Sequence, residues 1–467
     1  MELLVALFGI GASIWLIPLI RSGRLVVLAM SVLGLGTVFG PEFFAIDGPI
    51  QISADRLIWL LMLVVAVAGW RLGFTRIPKL TRTDWLLAGI LGWCLISAIS
   101  GEASSTGSSS MARWLFYLAM PAGMYAIARM VRVREQDIRW LMLGSIGLGG
   151  YLAVTAVFEI SGLHSFVFPH YITDPEHWDF YGRARGPLMN PPGNGFLLSI
   201  SLIASVLALI HAQRRGKVLY AAITLVLLAG VYATLTRSVW LGAAASIGLI
   251  GLVFTTRTVR ILAVACVVLV GGLSMIGLKE DLMRLKRDKH LSGSDSEKSI
   301  QLRPLLAVVA WEMFQDHPIK GHGYGRYYDR SQTYHSDRSY GLPLEEARFY
   351  TQHNVFLSLL VDTGLVGLAM AMAWLTSLFG MGWRMAREMP AAPAKRWIGL
   401  WIMGTITAYV CNGMFHDVMV IPMVHMFLFL LAGFTVTLAQ EGVLAAKDAR
   451  VRAPNRPERG NAISVPC

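Results

Sequence analysis

The chain is a succession of long apolar runs separated by polar breaks. Only between roughly Lys279 and Gln352 does polar sequence persist at length. The apolar runs centre near residues 10, 32, 63, 92, 121, 150, 202, 227, 247, 269, 367, 405 and 430. Their length matches the about 20 residues a helix needs to cross the hydrocarbon layer of a bilayer. In lipid, backbone groups must be satisfied within the segment, so such runs predict helices and not open strands. The expectation is an all-α, polytopic membrane bundle of about 12–13 helices. It divides into an N-terminal bundle over residues 1–278 with a loop at 163–192, a long loop at 279–352, closing helices at 353–440, and a tail at 441–467. The tail is rich in Arg and Pro and is expected to be disordered.

Composition agrees with this reading: 55% of residues are hydrophobic, and the mean hydropathy is +0.55. The formal charge of +12 changes the picture only through its distribution. Basic residues gather in short breaks: Arg21 and Arg24; Arg71, Arg76, Lys79 and Arg82; Arg129, Arg132, Arg134 and Arg139; Arg214, Arg215 and Lys217; Arg257 and Arg260; Arg384, Arg387, Lys395 and Arg396. This clustering is the positive-inside signature and assigns those breaks to the cytoplasm. The breaks at 41–55, 101–112, 163–192, around 237, 279–352 and 415–420 then face outward. The cations form no continuous patch with interleaved aromatics, which argues against nucleic acid. Cys94, Cys266, Cys411 and Cys467 have neither metal-site nor disulfide-framework spacing. The opening run Leu3–Ile20 lacks a basic leader and reads as a first membrane segment.

The outward loops carry the candidate chemistry. In the long one, Lys279–Gln301 is charged and Ser/Gly-bearing and is expected to be mobile. Arg303-Pro304 then opens an amphipathic helix, since proline suits a first turn and Leu305, Val308, Val309 and Met313 follow at helical spacing. His317-Pro318 ends it, and Gly321, Gly323 and Gly325 predict a tight turn. Arg237 is the sole charge between Val218 and Thr256. A charge so placed marks a functional site, and its planar fork suits phosphate; the plainer alternative is an outer turn whose arginine snorkels to the headgroups. His353 opens a membrane helix, where imidazole suits acid–base chemistry, or it may only pack beside Asn354, a good N-cap. Arg303, Arg183 and Arg185 are further outward cations. Arg185 lies in a segment dense in turn-formers, Gly182 to Asn194, which predicts a shaped loop. Asp174, Glu176, His177 and Asp179 are a conceivable divalent-metal cluster, but their spacing fits no standard site, and a DxD motif is absent. His416-Asp417 is a possible orienting pair or a structural turn.

Taken together, Thr236-Arg237-Ser238, the run Asp316-His317-Pro318-Ile319-Lys320-Gly321-His322-Gly323-Tyr324-Gly325, and His353-Asn354-Val355-Phe356-Leu357 followed by Thr363-Gly364-Leu365-Val366-Gly367-Leu368 resemble the O-antigen ligase and polymerase superfamily. Gly186 to Asn194 resembles that family's G-x-x-x-N-P-N segment, interrupted here by Pro192-Gly193, which leaves the detailed role of Arg185 open. The resemblance implies an inverting glycosyltransferase of lipopolysaccharide biosynthesis. A glycan would pass from undecaprenyl pyrophosphate to a sugar hydroxyl on a lipid A–core acceptor, without metal or other cofactor. It implies His353 as base and Arg237 as the second catalytic residue, neutralising the leaving pyrophosphate. Arg303, Arg185 and Arg183 would bind pyrophosphate, with Asn354, His322, Tyr324 and Arg326 in support. A polymerase using the same donor is the alternative within the family. A transporter of a small anion or lipid-linked glycan is the alternative outside it, disfavoured by few mid-membrane charges and no matched pair of interrupted helices.

Overall fold

The computed structural model describes residues 25–40, 43, 53–75, 77–99, 109–176, 180–254, 261, 293–337, 339–388 and 393–452. Every regular element among them is helical: α1 (Leu25–Val38), α2 (Ala54–Arg71), α3 (Arg82–Ile99), α4 (Ser110–Trp114), α5 (Met120–Met130), α6 (Glu135–Ile160), α7 (Pro191–His211), α8 (Arg214–Ala233), α9 (Arg237–Phe254), α10 (Gly293–Asp316), α11 (Tyr327–Arg330), α12 (Val355–Glu388), α13 (Pro393–Gly413) and α14 (Pro422–Arg452). The bundle is the all-α polytopic one expected. Helices lie over every predicted centre except those near 10 and 269, which fall outside the described residues. Six of the described helices are long and apolar enough to cross a membrane.

α7 and α14 form the bundle's interior. α7 is buried from Pro191 to Ser205, and the fully buried Trp401 of α13 donates its indole N–H to the Ile200 carbonyl, 3.0 Å away. A turn of π-helix, Leu115–Ala119, joins α4 to α5. Its irregular carbonyls are taken from outside the helix. His425 Nδ1 donates to Tyr117 O at 2.7 Å and Trp59 Nε1 to Met120 O at 3.0 Å.

Three expectations are corrected. α10 begins at Gly293, ten residues before the predicted start, and Pro304 lies inside it; the charged sequence to Gln301 thus contributes helix, and residues 279–292 lie outside the described part. α14 continues to Arg452, past the predicted start of the tail. Arg129 is not a solvated loop charge. It closes α5 and is buried against Asp84, with Nε 2.9 Å and Nη2 3.1 Å from the carboxylate. Tyr125 Oη donates to the same carboxylate at 2.6 Å, and Arg129 also reaches Thr437 and Gln440 of α14 and the Lys79 carbonyl. Removing one partner would strand a buried charge, at a cost of about 3–5 kcal/mol. Asp84→Leu and Arg129→Met are each expected to lower the melting temperature in detergent sharply. The double variant should recover most of the loss.

The long loop folds onto the bundle. Leu302, Leu305, Leu306, Val309, Ala310 and Met313 of α10 form a small core with Tyr327, Leu344, Ala347 and Val361 of α12. Underneath, α12 is broken at Gly364, whose φ of 67° and ψ of −169° belong to no helix. A break inside an apolar helix orphans carbonyls, and each finds a donor. Val361 O accepts from His322 N (2.8 Å), Asp362 O from Gly323 N (3.0 Å), and Thr363 O from Trp93 Nε1 (2.9 Å). Leu365 N donates in return to Pro318 O at 2.8 Å. The predicted glycine turn is therefore the plug of a broken helix, with Gly321, Gly323 and Gly325 all at positive φ. A Cβ on Gly364 would stand 2.2 Å from the Ile319 carbonyl oxygen. Gly364→Ala should destabilise by at least about 1–3 kcal/mol from backbone strain alone. Gly380→Ala, where a Cβ meets nothing within 4 Å, should leave the melting temperature unchanged.

Candidate functional site

The segment from Asn412 to Asp417, at the end of α13, is the hub of the site. Ser238, next to Arg237 in the first turn of α9, donates to Asn412 Oδ1 at 2.8 Å. Asn354 donates through Nδ2 to the Met414 carbonyl at 3.0 Å. Arg303, on α10, places its guanidinium 5.8 Å from the centroid of the Phe415 ring. Three elements distant in sequence thereby bring Arg237, Arg303 and His353 around one turn.

Each is presented by a local device. Asn354 is the N-cap of α12, as its type predicts: Oδ1 accepts from Phe356 N at 2.8 Å and from Leu357 N at 3.1 Å. His353 precedes the cap with φ of 49°, a left-handed conformation that non-glycine residues adopt at some energetic cost. Its ring nitrogens make no hydrogen bond among the described residues. The ring keeps an exposed side, while the protein packed around it and then the nearby positive Arg303 push its pKa below the ordinary histidine value. Both causes disfavour imidazolium, so the ring is neutral and basic at neutral pH. Arg237 is exposed and has no hydrogen-bond partner among the described residues. Leu235, two residues earlier, also has positive φ (47°), as do Phe180 (59°) and Met189 (53°). Left-handed non-glycine residues cluster at functional sites because only a rigid surround maintains them.

The other two predicted arginines are occupied. Arg183 is buried, with Nη2 2.5 Å from Thr236 Oγ1 and Nε 3.4 Å from Thr234 O. It braces the turn that displays Arg237. Arg185 is wholly buried: Nε and Nη2 donate to Ile172 O at 3.0 and 2.7 Å, and Nη2 to Asp174 O at 3.1 Å. Glu159 of α6 lies beneath and accepts the Arg185 and Gly186 backbone N–H groups. Arg185 thus ties down the 163–192 loop, and the structure does not bring it to the hub.

His322 donates from Nε2 to Met313 O at 2.7 Å and meets His317 edge-on at 4.6 Å between ring centroids, which pins the glycine turn to the end of α10. Burial lowers its pKa. Tyr324 is 2% exposed and takes Ser97 Oγ with its backbone N–H at 3.0 Å. Arg326 is buried with its Nε unpaired among the described residues. Asp417 is half-buried and accepts from Ser358 Oγ at 2.8 Å, which makes it a support of the hub. No His, Cys, Asp and Glu grouping suited to a metal occurs among the described residues; His177 and Asp179 lie outside them. Asp362, which accepts the Gly325 N–H at 2.7 Å, is not singled out above. The signal was available: it is the only charge between Val355 and Trp383, the same oddity that marks Arg237.

Residues 222–372 match the O-antigen ligase family model. The chain carries an O-antigen ligase domain. It runs from within α8 through the glycine turn to the middle of α12, and so contains Arg237, Arg303, His322, Tyr324, Arg326, His353 and Asn354. Arg183, Arg185 and the Asn412–Asp417 hub lie outside it. No curated protein matches the chain. The O-antigen ligase domain and the helical bundle make this a multi-pass membrane protein of the ligase/polymerase glycosyltransferase type.

Proposed function

We propose that the protein transfers a glycan from undecaprenyl pyrophosphate to a sugar hydroxyl of a lipid A–core acceptor, at the outer face of the inner membrane. The observation that carries this reading is a neutral histidine without a hydrogen-bond partner among the described residues, gathered at one turn with Arg303 and the exposed Arg237. His353 removes the acceptor hydroxyl proton as its oxygen attacks the anomeric carbon of the donor. The bond from that carbon to the pyrophosphate oxygen breaks on the opposite face, inverting the centre, and undecaprenyl pyrophosphate leaves. Arg237 and Arg303 face the negative charge that grows on the leaving group, where preorganised cations contribute most. Arg183 acts through the Arg237 turn, and Arg185 through the loop.

A base of this kind fixes the sign of the pH dependence. Protonation of His353 abolishes transfer, so the rate falls as pH drops through its lowered pKa. Arg303→Gln removes a positive neighbour, raises that pKa and moves the acid limb to higher pH. A pH profile of kcat/KM for the reconstituted enzyme checks this. Surface polysaccharide from cells lacking the gene separates the family's two activities. Bare lipid A–core with long glycan retained on its lipid carrier marks a ligase. Cores bearing a single repeat, with the longer ladder lost, mark a polymerase.

A further inference from the structure

On the far side of the Asn412–Asp417 hub the chain continues through Val418–Val420 to Val420, Ile421 and Pro422, which line a cavity of about 370 Å³. Its other walls are the first turn of α2 with Ser53, Asp55 and Arg56, the π-turn residues Phe116 and Tyr117, and Asn190 before α7. All of these groups lie outside the stretch that matches the O-antigen ligase family. The size is within the range of sites that hold a small molecule, about 300–1,000 Å³, and accommodates about one or two sugar rings.

The chemistry of the lining is specific. Asp55 is only 9% exposed, yet its carboxylate accepts no hydrogen bond among the described residues. Its place in the first turn of α2 lets the helix dipole favour the charge but supplies no donors to its oxygens. Its oxygens open onto the cavity, so donors to them can come from what fills it. Arg56 is held flat over the Phe116 ring, 3.9 Å from its centroid, beside Asp55. Met120, Met423 and Met426 complete the cavity with soft apolar surface. A carboxylate, a guanidinium, a phenol and an adaptable apolar wall together suit a sugar ring, whose edge is hydroxyl and whose faces are C–H.

The geometry points to this cavity as the subsite for the terminal sugar of the acceptor glycan, with Asp55 accepting from its hydroxyls. This rests on the transfer reaction proposed above. Inversion requires the acceptor to approach from the side opposite the leaving pyrophosphate. Arg303 lies against Phe415 within the hub, and Val420 and Ile421, a few residues further along the same connection, line this cavity. The two substrates would then flank one turn and react at its edge.

The test uses the full-length protein in vesicles, with a fluorescent oligosaccharide on undecaprenyl pyrophosphate as donor. Lipid A–core glycolipid is the acceptor, or an octyl glycoside of the repeat if only polymerisation occurs. Asp55→Asn is expected to raise the acceptor KM at least tenfold while leaving the donor KM and the pH profile unchanged. Val420→Trp, at the partly exposed rim, should narrow the mouth and do the same without touching the buried carboxylate. If wild type transfers glycan and both variants keep the acceptor KM within twofold, the subsite is wrong and the transfer reaction stands. A parallel rise in donor KM also overturns it, as it would mean a general distortion. If wild type leaves the donor intact with either acceptor, the transfer reading falls and the subsite with it.

Discussion

His353→Ala is expected to lower the transfer rate about 10²–10⁴-fold, the range that positioned general-base catalysis contributes, with no loss of folded protein. The second half of that expectation follows from the structure. His353 has an exposed side and makes no side-chain hydrogen bond among the described residues, so its removal orphans nothing. Its left-handed φ of 49° disfavours alanine only slightly more than histidine, a small strain at the edge of the fold. Donor binding should persist, because the cations that face the pyrophosphate are untouched. The measurement is single-turnover transfer in vesicles at saturating donor, paired with a melting curve in detergent. Full activity at normal stability would remove His353 from the chemistry. Asn354→Ala serves as the contrast. It deletes the cap bonds to Phe356 and Leu357 and the link to Met414, so it should lower stability by about 0.5–2 kcal/mol and activity along with it.

The membrane helices were legible because hydropathy over a spanning length reports them directly. The break at Gly364 was not, since Asp362 is the only charge in the run from Val355 to Trp383 and the hydropathy gives no sign of interruption. What breaks the helix is tertiary: the N–H groups of His322 and Gly323 compete for the Val361 and Asp362 carbonyls. The same limit governs the arginines. Arg183, Arg185 and Arg237 are one residue type in outward loops, and composition cannot tell a cation that braces a loop from one left free for a ligand. Burial decides it: the first two spend their donors on Thr236, Thr234, Ile172 and Asp174, while Arg237 spends none. Arg129 went the other way. Its neighbours in sequence read as a cytoplasmic loop, and only Asp84, on another helix, brings it inside.

Arg237 should be as sensitive as the base, and to shape as well as charge. Deleting a preorganised group that stabilises developing negative charge costs about 10²–10³-fold in kcat, and Arg237→Ala is expected to fall in that range. Lysine keeps the charge but not the planar fork. If the guanidinium spans two pyrophosphate oxygens, Arg237→Lys should remain strongly impaired. Full rescue by lysine would reduce the role to simple charge. The alternative in which Arg237 merely snorkels to lipid headgroups predicts no kinetic effect from either variant. Arg183→Met separates the two further, because Arg183 is buried and bonded to the turn at Thr234 and Thr236. Loosening that turn, together with the Phe180 ring that Arg183 also covers, spreads the positions available to Arg237 and should reduce kcat by a smaller factor than Arg237→Ala. Combining Arg183→Met with Arg237→Ala should then add little, since a brace has no value once the group it positions is gone.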